Sequence, residues 1–206
     1  MTKVVLATRN AHKVEELRAI LSDVCTDLGL DIVGLDEFPD VPDVVEDGVT
    51  FEQNAILKAS AAARSTGLPA LADDSGLAVD VLGGSPGIFS ARWSGGGGDR
   101  ANLELLLRQL DEVRDEHRAA AFVCAAALVL PDGRSAAELG RFPGTVGREA
   151  RGTGGFGYDP IFIPADQPDG NGRTLAEYDA AEKNDVSHRA LAFRALVPHL
   201  KEHLRP

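Results

Sequence analysis

The sequence predicts an α/β fold arranged around a mixed β-sheet. Strand and helix patterns alternate over the front of the chain, and two strands joined by a short turn follow later, which together indicate a sheet of this kind. The 206 residues suffice for one sizeable core or for one domain with two lobes. Since we find neither an internal repeat nor a long linker, we expect residues 1–206 to form one domain.

The first elements are a strand, a helix and a second strand. Residues 3–8 ("KVVLAT") are β-branched and apolar, which predicts a buried strand. Residues 10–23 predict a helix, because apolar residues recur there every three or four positions. The stripe consists of Val14, Leu17 and Leu21. Residues 31–35 ("DIVGL") predict a short second strand.

An acidic, proline-punctuated loop at 36–48 leads to the next helix. We predict this Ala-rich helix over residues 51–65, because Thr50 and Gln53 have the spacing of a capping box at its start. Apolar stretches then predict one strand at 69–74 and another at 77–82.

The remaining elements are a helix, a hairpin and a terminal helix. Residues 102–113 predict a helix, with Asp99 as its N-cap. The apolar run 119–130, the turn "PDGR" and residues 135–142 predict a β-hairpin. A glycine-rich loop at 152–164 leads into a short strand. Residues 187–204 predict a helix with the apolar stripe Phe193, Leu196, Val197, Leu200 and Leu204.

Composition excludes several classes of function. The formal net charge is −11, so the chain would repel a nucleic-acid backbone, and we expect no nucleic-acid partner. No stretch approaches the roughly 18 apolar residues that a membrane helix needs, and the N-terminus has no signal-peptide pattern. Cys25 and Cys124 have apolar neighbours and are expected to be buried thiols. We therefore expect a cytoplasmic protein without a membrane partner.

Two adjacent carboxylates mark the first candidate site. Asp73 and Asp74 end an apolar run, and ligands gather at the carboxyl ends of strands in α/β sheets. Adjacent acids resist joint burial unless a cation compensates them, and Mg²⁺ prefers such oxygen ligands. Glu46 offers a third carboxylate. The alternatives are an Asp that caps a turn and a solvated loop acid at position 46.

Cationic and amide side chains form the second candidate group. Arg9, Asn10 and Lys13 surround the start of the first helix, where free N–H groups and a partial positive charge suit phosphate. Asn54 and Lys58 are four residues apart and therefore share one helix face. The alternative is that these are ordinary surface lysines.

The glycine-rich stretch "GTGGFG" (152–157) fits the pattern GxGxxG, but we reject a dinucleotide-binding motif. That motif needs a helix immediately afterwards, and Pro160 and Pro164 prevent one. The glycines instead suit a close approach to a flat ligand, with Phe156 as a stacking surface. The alternative is a structural turn with Phe156 in the core.

Further hydrogen-bond donors precede the last helix. Lys183, His188 and Arg189 can donate to carbonyl or phosphate oxygens, although a polar helix start is the alternative. His199 and His203 are four residues apart and could share a metal ion. Since no HExxH pattern accompanies them, we interpret them as surface residues.

Five motifs resemble a known family. "TRNAHK", "EDGVTFEQNAILKA", "LADDSGLAVDVLGGSPGIFSARWSG", "GTGGFGYDPIF" and "EKNDVSHRA" are similar, in family order, to the pyrophosphatases of non-standard purine nucleoside triphosphates (the dITP/ITP/XTP diphosphatases, or inosine triphosphatase-like family). The resemblance spans nearly the whole chain. It implies an elongated mixed sheet with two lobes, an active-site cleft between them, and a homodimer.

The resemblance also implies an activity and a set of site residues. The activity is Mg²⁺-dependent hydrolysis of ITP, dITP or XTP to the monophosphate and pyrophosphate. Asp74 would be the general base and a magnesium ligand, assisted by Glu46 and Asp73. The substrate-binding residues would be Thr8, Arg9, Asn10, Ala11, His12, Lys13, Asn54, Lys58, Ser75, Phe156, Gly157, Tyr158, Asp159, Lys183, His188 and Arg189.

One position departs from the family pattern. Arg9 stands where the family usually has Gly, so its side chain either adds a phosphate contact or points away. Two other functions stay open: a pyrophosphatase for pyrimidine or modified nucleotides, and a non-catalytic nucleotide-binding protein.

Overall fold

The computed structural model describes residues 1–167, 170–179, 182 and 187–205. The strands in these ranges are β1 Thr2–Leu6, β2 Leu30–Val33, β3 Ala70–Val79, β4 Ala119–Val129, β5 Ser135–Val146 and β6 Phe162–Pro164. The α-helices described are α1 Ala11–Ile20, α2 Ser22–Leu28, α3 Phe51–Thr66, α4 Gly98–Gln109 and α5 His188–His203. None of the helices in the described part of the chain is long and apolar enough to cross a membrane.

The six strands form one mixed sheet in the order β2-β1-β3-β4-β5-β6. Strand β1 runs parallel to both β2 and β3, whereas β5 and β6 are antiparallel. The predicted α/β class with a mixed sheet is therefore confirmed.

The chain divides into two compact units. The first contains residues 1–74, 124–140 and 189–206, and the second contains residues 75–123 and 141–188. The backbone passes from one unit to the other four times. The crossings at residues 74–75, 123–124 and 140–141 lie inside β3, β4 and β5, and the crossing at 188–189 lies at the start of α5. An active-site cleft between two lobes stays a prediction, as does the single domain over residues 1–206.

The first unit has a core on each face of its strands. Along β4, Cys124, Ala126 and Leu128 join one apolar cluster, and the residues between them join another. This alternation follows from the two-residue period of a strand. Helices α1, α2 and α5 contribute side chains to the first cluster, whereas α3 contributes to the second. Both Cys25 and Cys124 are free thiols.

Helix α3 packs on its cluster mainly through small side chains. These are Ala55, Ala59, Ala62 and Ala63, each at most 1% exposed. Small residues allow the helix to lie close to the strands. The helix begins as the sequence predicts, since the Thr50 hydroxyl accepts a hydrogen bond from the Gln53 backbone N–H at 3.2 Å.

The second unit has its own apolar core. It combines β3 residues, leucines of α4 and an aromatic pair, Phe122 and Phe162, whose ring centroids lie 4.6 Å apart. Arg118 is buried beside this core, and its guanidinium donates to the backbone carbonyls of Leu110, Val146 and Gly147.

Three predicted elements differ from the structure. The strands predicted at 69–74 and 77–82 are one strand, β3, followed by a short 3₁₀ turn. The helix predicted over 10–23 is broken at Leu21 into α1 and α2. The predicted N-cap, Asp99, lies inside the first turn of α4, which begins after Gly97.

Candidate active site

The register of β1 and β3 places the predicted site residues of the first unit level with one another. Leu6 pairs with Leu71, so Thr8 and Asp73, two residues further along parallel strands, lie at the same height. Helix α1 begins at Ala11, three residues after Thr8, and Asp73 and Asp74 lie within β3. The predicted phosphate-binding turn and the predicted acid pair therefore come together because parallel strands run in the same direction.

Asp74 is held by two side chains of α3. Its Oδ1 accepts a hydrogen bond from Lys58 Nζ at 3.0 Å, and its Oδ2 accepts one from Asn54 Nδ2 at 3.3 Å. Burial raises the pKa of Asp74, and the positive charge of Lys58 offsets only part of that rise. The prediction that Asn54 and Lys58 share a helix face toward one site agrees with these bonds.

Lys58 also contacts Glu46, which lies in the acidic loop before α3. Lys58 Nζ lies 3.3 Å from Glu46 Oε1, so two carboxylates converge on one ammonium group. Burial alone would lower the pKa of Lys58, but the charges of Asp74 and Glu46 outweigh it and raise that pKa. Asn54 also holds the acidic loop that carries Glu46, because its Oδ1 accepts a hydrogen bond from the Gly48 N–H at 2.9 Å.

Asp73 has different partners from its neighbour. Its Oδ2 accepts from Arg189 Nη2 at 3.0 Å and lies 3.4 Å from Lys13 Nζ. Burial by itself would raise the pKa of Asp73, but the charges of Arg189, Lys13 and Lys58 outweigh it and hold the pKa far below its usual value. Asp73 is therefore a buried carboxylate already compensated by the protein's own cations.

Glu16 belongs to this network, although it is not among the site residues predicted from the sequence. Its Oε2 accepts from Arg189 Nη1 at 2.7 Å, so Arg189 joins α1 to β3. Burial would lower the pKa of Arg189, and the carboxylates of Asp73 and Glu16 raise it instead. Glu16 lies three residues after Lys13 on α1, and that helical spacing was the available signal.

At the start of α1, two side-chain oxygens accept hydrogen bonds from backbone N–H groups of the same turn. Asn10 is the N-cap, and its side chain accepts from the His12 N–H at 3.0 Å. The Thr8 hydroxyl accepts from the Asn10 N–H at 3.2 Å. Ala11 and His12 form the exposed first turn of the helix.

Arg9 reaches toward the acidic loop. Its guanidinium donates to the carbonyls of Val41, at 2.6 Å, and Leu35, at 3.4 Å. Arg9, Thr8, Glu46 and Lys58 also line a cavity of about 270 Å³ in the first unit. Arg9 therefore both borders this cavity and ties down the loop that carries Glu46.

The second unit holds the remaining predicted substrate residues. Phe156 is 67% exposed, which agrees with a stacking surface and not with a core position. The loop around it is held by backbone and side-chain bonds: Asp99 accepts from the Gly157 N–H at 3.0 Å, and the Tyr158 hydroxyl donates to the Ser90 carbonyl at 2.9 Å. Asp99, predicted as a helix cap, instead accepts a bond from this loop.

The other predicted residues of the second unit are described in part. Asp159 Oδ2 accepts from the Phe156 N–H at 2.7 Å, which closes the tight glycine-rich turn. Ser75 lies in β3 directly after Asp74. The His188 ring stacks on Phe122, with centroids 5.1 Å apart. Lys183 lies outside the described residues.

Fold and site together define an α/β protein whose convergent carboxylates, lysines and helix start suit a cation and a phosphate chain. Nucleotide hydrolases form one such class. The chain belongs to the Ham1 family, whose model matches residues 4–199.

Several named proteins are similar to this chain over almost its full length. A Streptomyces avermitilis protein described as dITP/XTP pyrophosphatase is 60% identical over 203 residues, which cover 98% of each chain. The crystal structure of a nucleoside-triphosphatase, or dITP/XTP pyrophosphatase, from Mycobacterium abscessus is 47% identical, with a TM-score of 0.80, and the match covers 97% of this chain and 100% of that one. A HAM1 protein structure from Coxiella burnetii is 41% identical, with a TM-score of 0.86 and coverage of 98% and 100%.

Proposed function

We propose that this protein hydrolyses non-standard purine nucleoside triphosphates (dITP, ITP and XTP) to the monophosphate and pyrophosphate. The observation that carries the proposal is the convergence of Asp74 and Glu46 on Lys58, at 3.0 and 3.3 Å. The names of the full-length relatives support the same substrate class. Such an enzyme removes these nucleotides from the nucleotide pool.

Asp74 is the proposed general base. It would orient a water molecule for in-line attack on the α-phosphorus and accept its proton as the bond to the β-phosphate oxygen breaks. A pKa raised by burial makes the carboxylate a stronger base. General-base catalysis typically contributes about 10²–10⁴-fold to the rate.

Glu46 and Asp74 are the proposed magnesium ligands. Both offer the hard oxygen donors that Mg²⁺ prefers, and both already face one positive charge. When bound, Mg²⁺ would neutralise charge on the phosphates and on the leaving pyrophosphate. Lys58 lies beside both carboxylates and would add a positive charge of the protein to the same place.

Asp73 fits an assisting role better than direct metal binding. Its Oδ2 is already bonded to Arg189 and close to Lys13, and the carboxylate is almost fully buried. We therefore assign Asp73 to hold Lys13 toward the triphosphate and Arg189 in place. Lys13, with Thr8, Asn10, Ala11 and His12, remains the proposed phosphate-binding segment, whereas the Arg9 side chain is assigned to the acidic loop.

Base selectivity is assigned to donors around residues 183–189 and to Phe156. A 6-keto purine satisfies such donors, whereas the adenine amino group presents a donor to them. An unpaired donor in a closed pocket costs about 1–3 kcal/mol, so ITP, dITP and XTP should be far better substrates than ATP. Three of the five N–H groups of Arg189 already bind Asp73 and Glu16, so its contact with the base must use the others.

Pyrophosphate release from a nucleotide panel, with and without Mg²⁺, tests the proposal. The wild-type protein should release pyrophosphate from ITP, dITP and XTP only with the metal. Asp74→Asn should keep the fold by circular dichroism and lower kcat by about 10²-fold or more. Asp27→Asn, at an exposed acid of α2 outside the candidate site, is the matched control and should change nothing.

The same panel decides between the alternatives. Preferential hydrolysis of pyrimidine or modified nucleotides would assign the protein to that substrate class. Binding of ITP without release of pyrophosphate would make it a nucleotide-binding protein. Equal kcat/KM for ITP and ATP would remove the proposed base selectivity. A homodimer and a cytoplasmic location are kept as proposals, the former checked by light scattering.

A further inference from the structure

Three side chains of types that can ligate a metal ion cluster at the end of α5, among residues other than those assigned to catalysis. His199, Glu202 and His203 are spaced i, i+3 and i+4, so they share one face of the helix. One ligand atom from each lies within 4.8 Å of the others. His199 and His203 are half-buried and Glu202 is exposed, so the cluster is open to solvent.

A fourth side chain, from a different element, contacts His199 of this cluster. Glu138 of β5 lies with its Oε1 3.0 Å from His199 Nε2. When Nε2 carries the proton and donates to Glu138, the Nδ1 lone pair of His199 is available to a metal. Carboxylates commonly hold metal-binding histidines in this way, fixing both the tautomer and the ring orientation.

The donor set indicates which ions would bind. Two imidazoles and one carboxylate suit Zn²⁺ and similar transition-metal ions, which prefer nitrogen ligands and accept four-coordinate geometry. Mg²⁺ prefers oxygen ligands and is a poor match. The pair Glu46 and Asp74 offers only oxygen ligands and would favour Mg²⁺ instead.

We propose that His199, Glu202 and His203 form a second metal site, selective for Zn²⁺-like ions, with Glu138 as a positioning residue. Three protein ligands leave a coordination position for water. The buried face of α5 carries Phe193, Leu196 and Leu200, and the half-buried His199 and His203 lie on the flank beside it, so an ion would bind at the solvent-exposed edge of a helix that is already packed. Binding would fasten the last turn of α5 without disturbing that packing.

Calorimetric titration of the full chain with ZnCl₂, in a large excess of Mg²⁺, tests the proposal. The excess Mg²⁺ occupies oxygen-only sites, so about one equivalent of Zn²⁺ should bind. His199→Ala and His203→Ala should each weaken binding at least tenfold, and Glu138→Gln should weaken it by about tenfold. His117→Ala is the matched control, because His117 is an exposed histidine outside the cluster, and it should bind zinc as the wild type does.

Thermal unfolding gives a second measurement that does not depend on catalysis. Zinc at about 100 times its dissociation constant should raise the Tm of the wild type by roughly 5–10 °C, and should raise it far less in His203→Ala. All variants retain Cys25 and Cys124, so thiol binding would persist in them. No zinc binding by the wild type, or equal binding by wild type and both histidine variants, would overturn the proposal. Neither result would bear on the proposed hydrolysis.

Discussion

Two neighbouring residues, Asp73 and Asp74, differ in how their charge is compensated. Asp73 is buried against Arg189 and Lys13, whose charges hold its pKa far below the usual value for an aspartate. Asp74 faces Lys58 and Glu46, and its pKa is raised. Successive strand residues point to opposite faces, so adjacent positions can meet different surroundings. One aspartate can therefore organise the site while the other acts as a base.

Asp73→Asn should destabilise the protein by about 3 kcal/mol at pH 7, since it leaves the buried Arg189 charge less well compensated. A pKa depressed in the folded state means that Asp73 stabilises the fold above its unfolded-state pKa, about 3.9, and that this contribution is lost as pH falls below that value. Urea unfolding at pH 7 and at about pH 3 measures both effects.

The gap in unfolding free energy between wild type and Asp73→Asn should shrink in acid. Asp80→Asn, at an exposed acid near Arg141, is the control and should lie within about 0.5 kcal/mol of wild type. A gap that stays constant down to pH 3 would contradict the assigned ion pair.

Arg9 is predicted to act on the acidic loop and not on the phosphates. Arg9→Gln removes the bonds to the Leu35 and Val41 carbonyls and so loosens the loop that carries Glu46. Losing about 1 kcal/mol of anchoring corresponds to roughly a fivefold rise in the Mg²⁺ concentration for half-maximal activity. A metal titration at saturating nucleotide measures this rise. If the nucleotide KM rose and the metal dependence did not, Arg9 would be a phosphate contact.

Among the elements, β3 shows why local sequence misplaces a boundary. The polar stretch after Asp74 resembles a turn, but the strand continues through Gly76 because a longer-range contact requires it. A Cβ at Gly76 would collide with the Gly87 carbonyl and the Ser90 hydroxyl. Ser90 in turn accepts from the Leu77 N–H at 2.9 Å.

Gly76→Ala should therefore destabilise the protein by about 2–3 kcal/mol, because the clash involves backbone that cannot move cheaply. Gly147→Ala is the matched control, since a Cβ there meets only ordinary van der Waals contacts, and it should change stability by less than about 1 kcal/mol. Chemical unfolding of both variants checks the difference. If both variants were equally stable, the contact of Gly76 with Gly87 and Ser90 would not be as close as the structure indicates.

The other misplaced boundaries have similar causes. The apolar stripe continues on both sides of Leu21, so periodicity cannot reveal the break between α1 and α2. Asp99 has the chemistry of a helix cap, but the same acceptor serves the Gly157 N–H, 58 residues away. A side chain's hydrogen-bonding type is visible in the sequence, whereas its partner is set by the fold.

Across the whole molecule, the sequence predicts the fold class, the mixed sheet and the shared helix face of Asn54 and Lys58. These follow from periodicity, capping and helical spacing, all of which are local. The roles of Glu16 and Arg9 could not be predicted, because their partners come from segments distant in sequence. The second metal cluster needed Glu138 of β5, which spacing along α5 does not reveal.

The first unit depends on its last segment. Its main core includes Phe193, Leu196 and Leu200 of α5, each at most 1% exposed, and its buried acid Asp73 pairs with Arg189. A variant truncated after residue 187 should therefore lose the cooperative unfolding transition of this unit. Limited proteolysis should cleave it within α1 and α2. A truncated chain as protease-resistant as wild type would contradict this prediction.

That arrangement has a consequence for how the chain folds during synthesis. A protein leaves the ribosome from its N-terminus, so the strands and helices of residues 1–74 emerge long before α5 exists. Until then Leu17 and Leu21 cannot pack against that helix, and the nascent chain exposes an apolar surface that is prone to aggregation. We expect the first unit to close only after α5 has left the ribosome, which makes the nascent chain a natural client of chaperones until then.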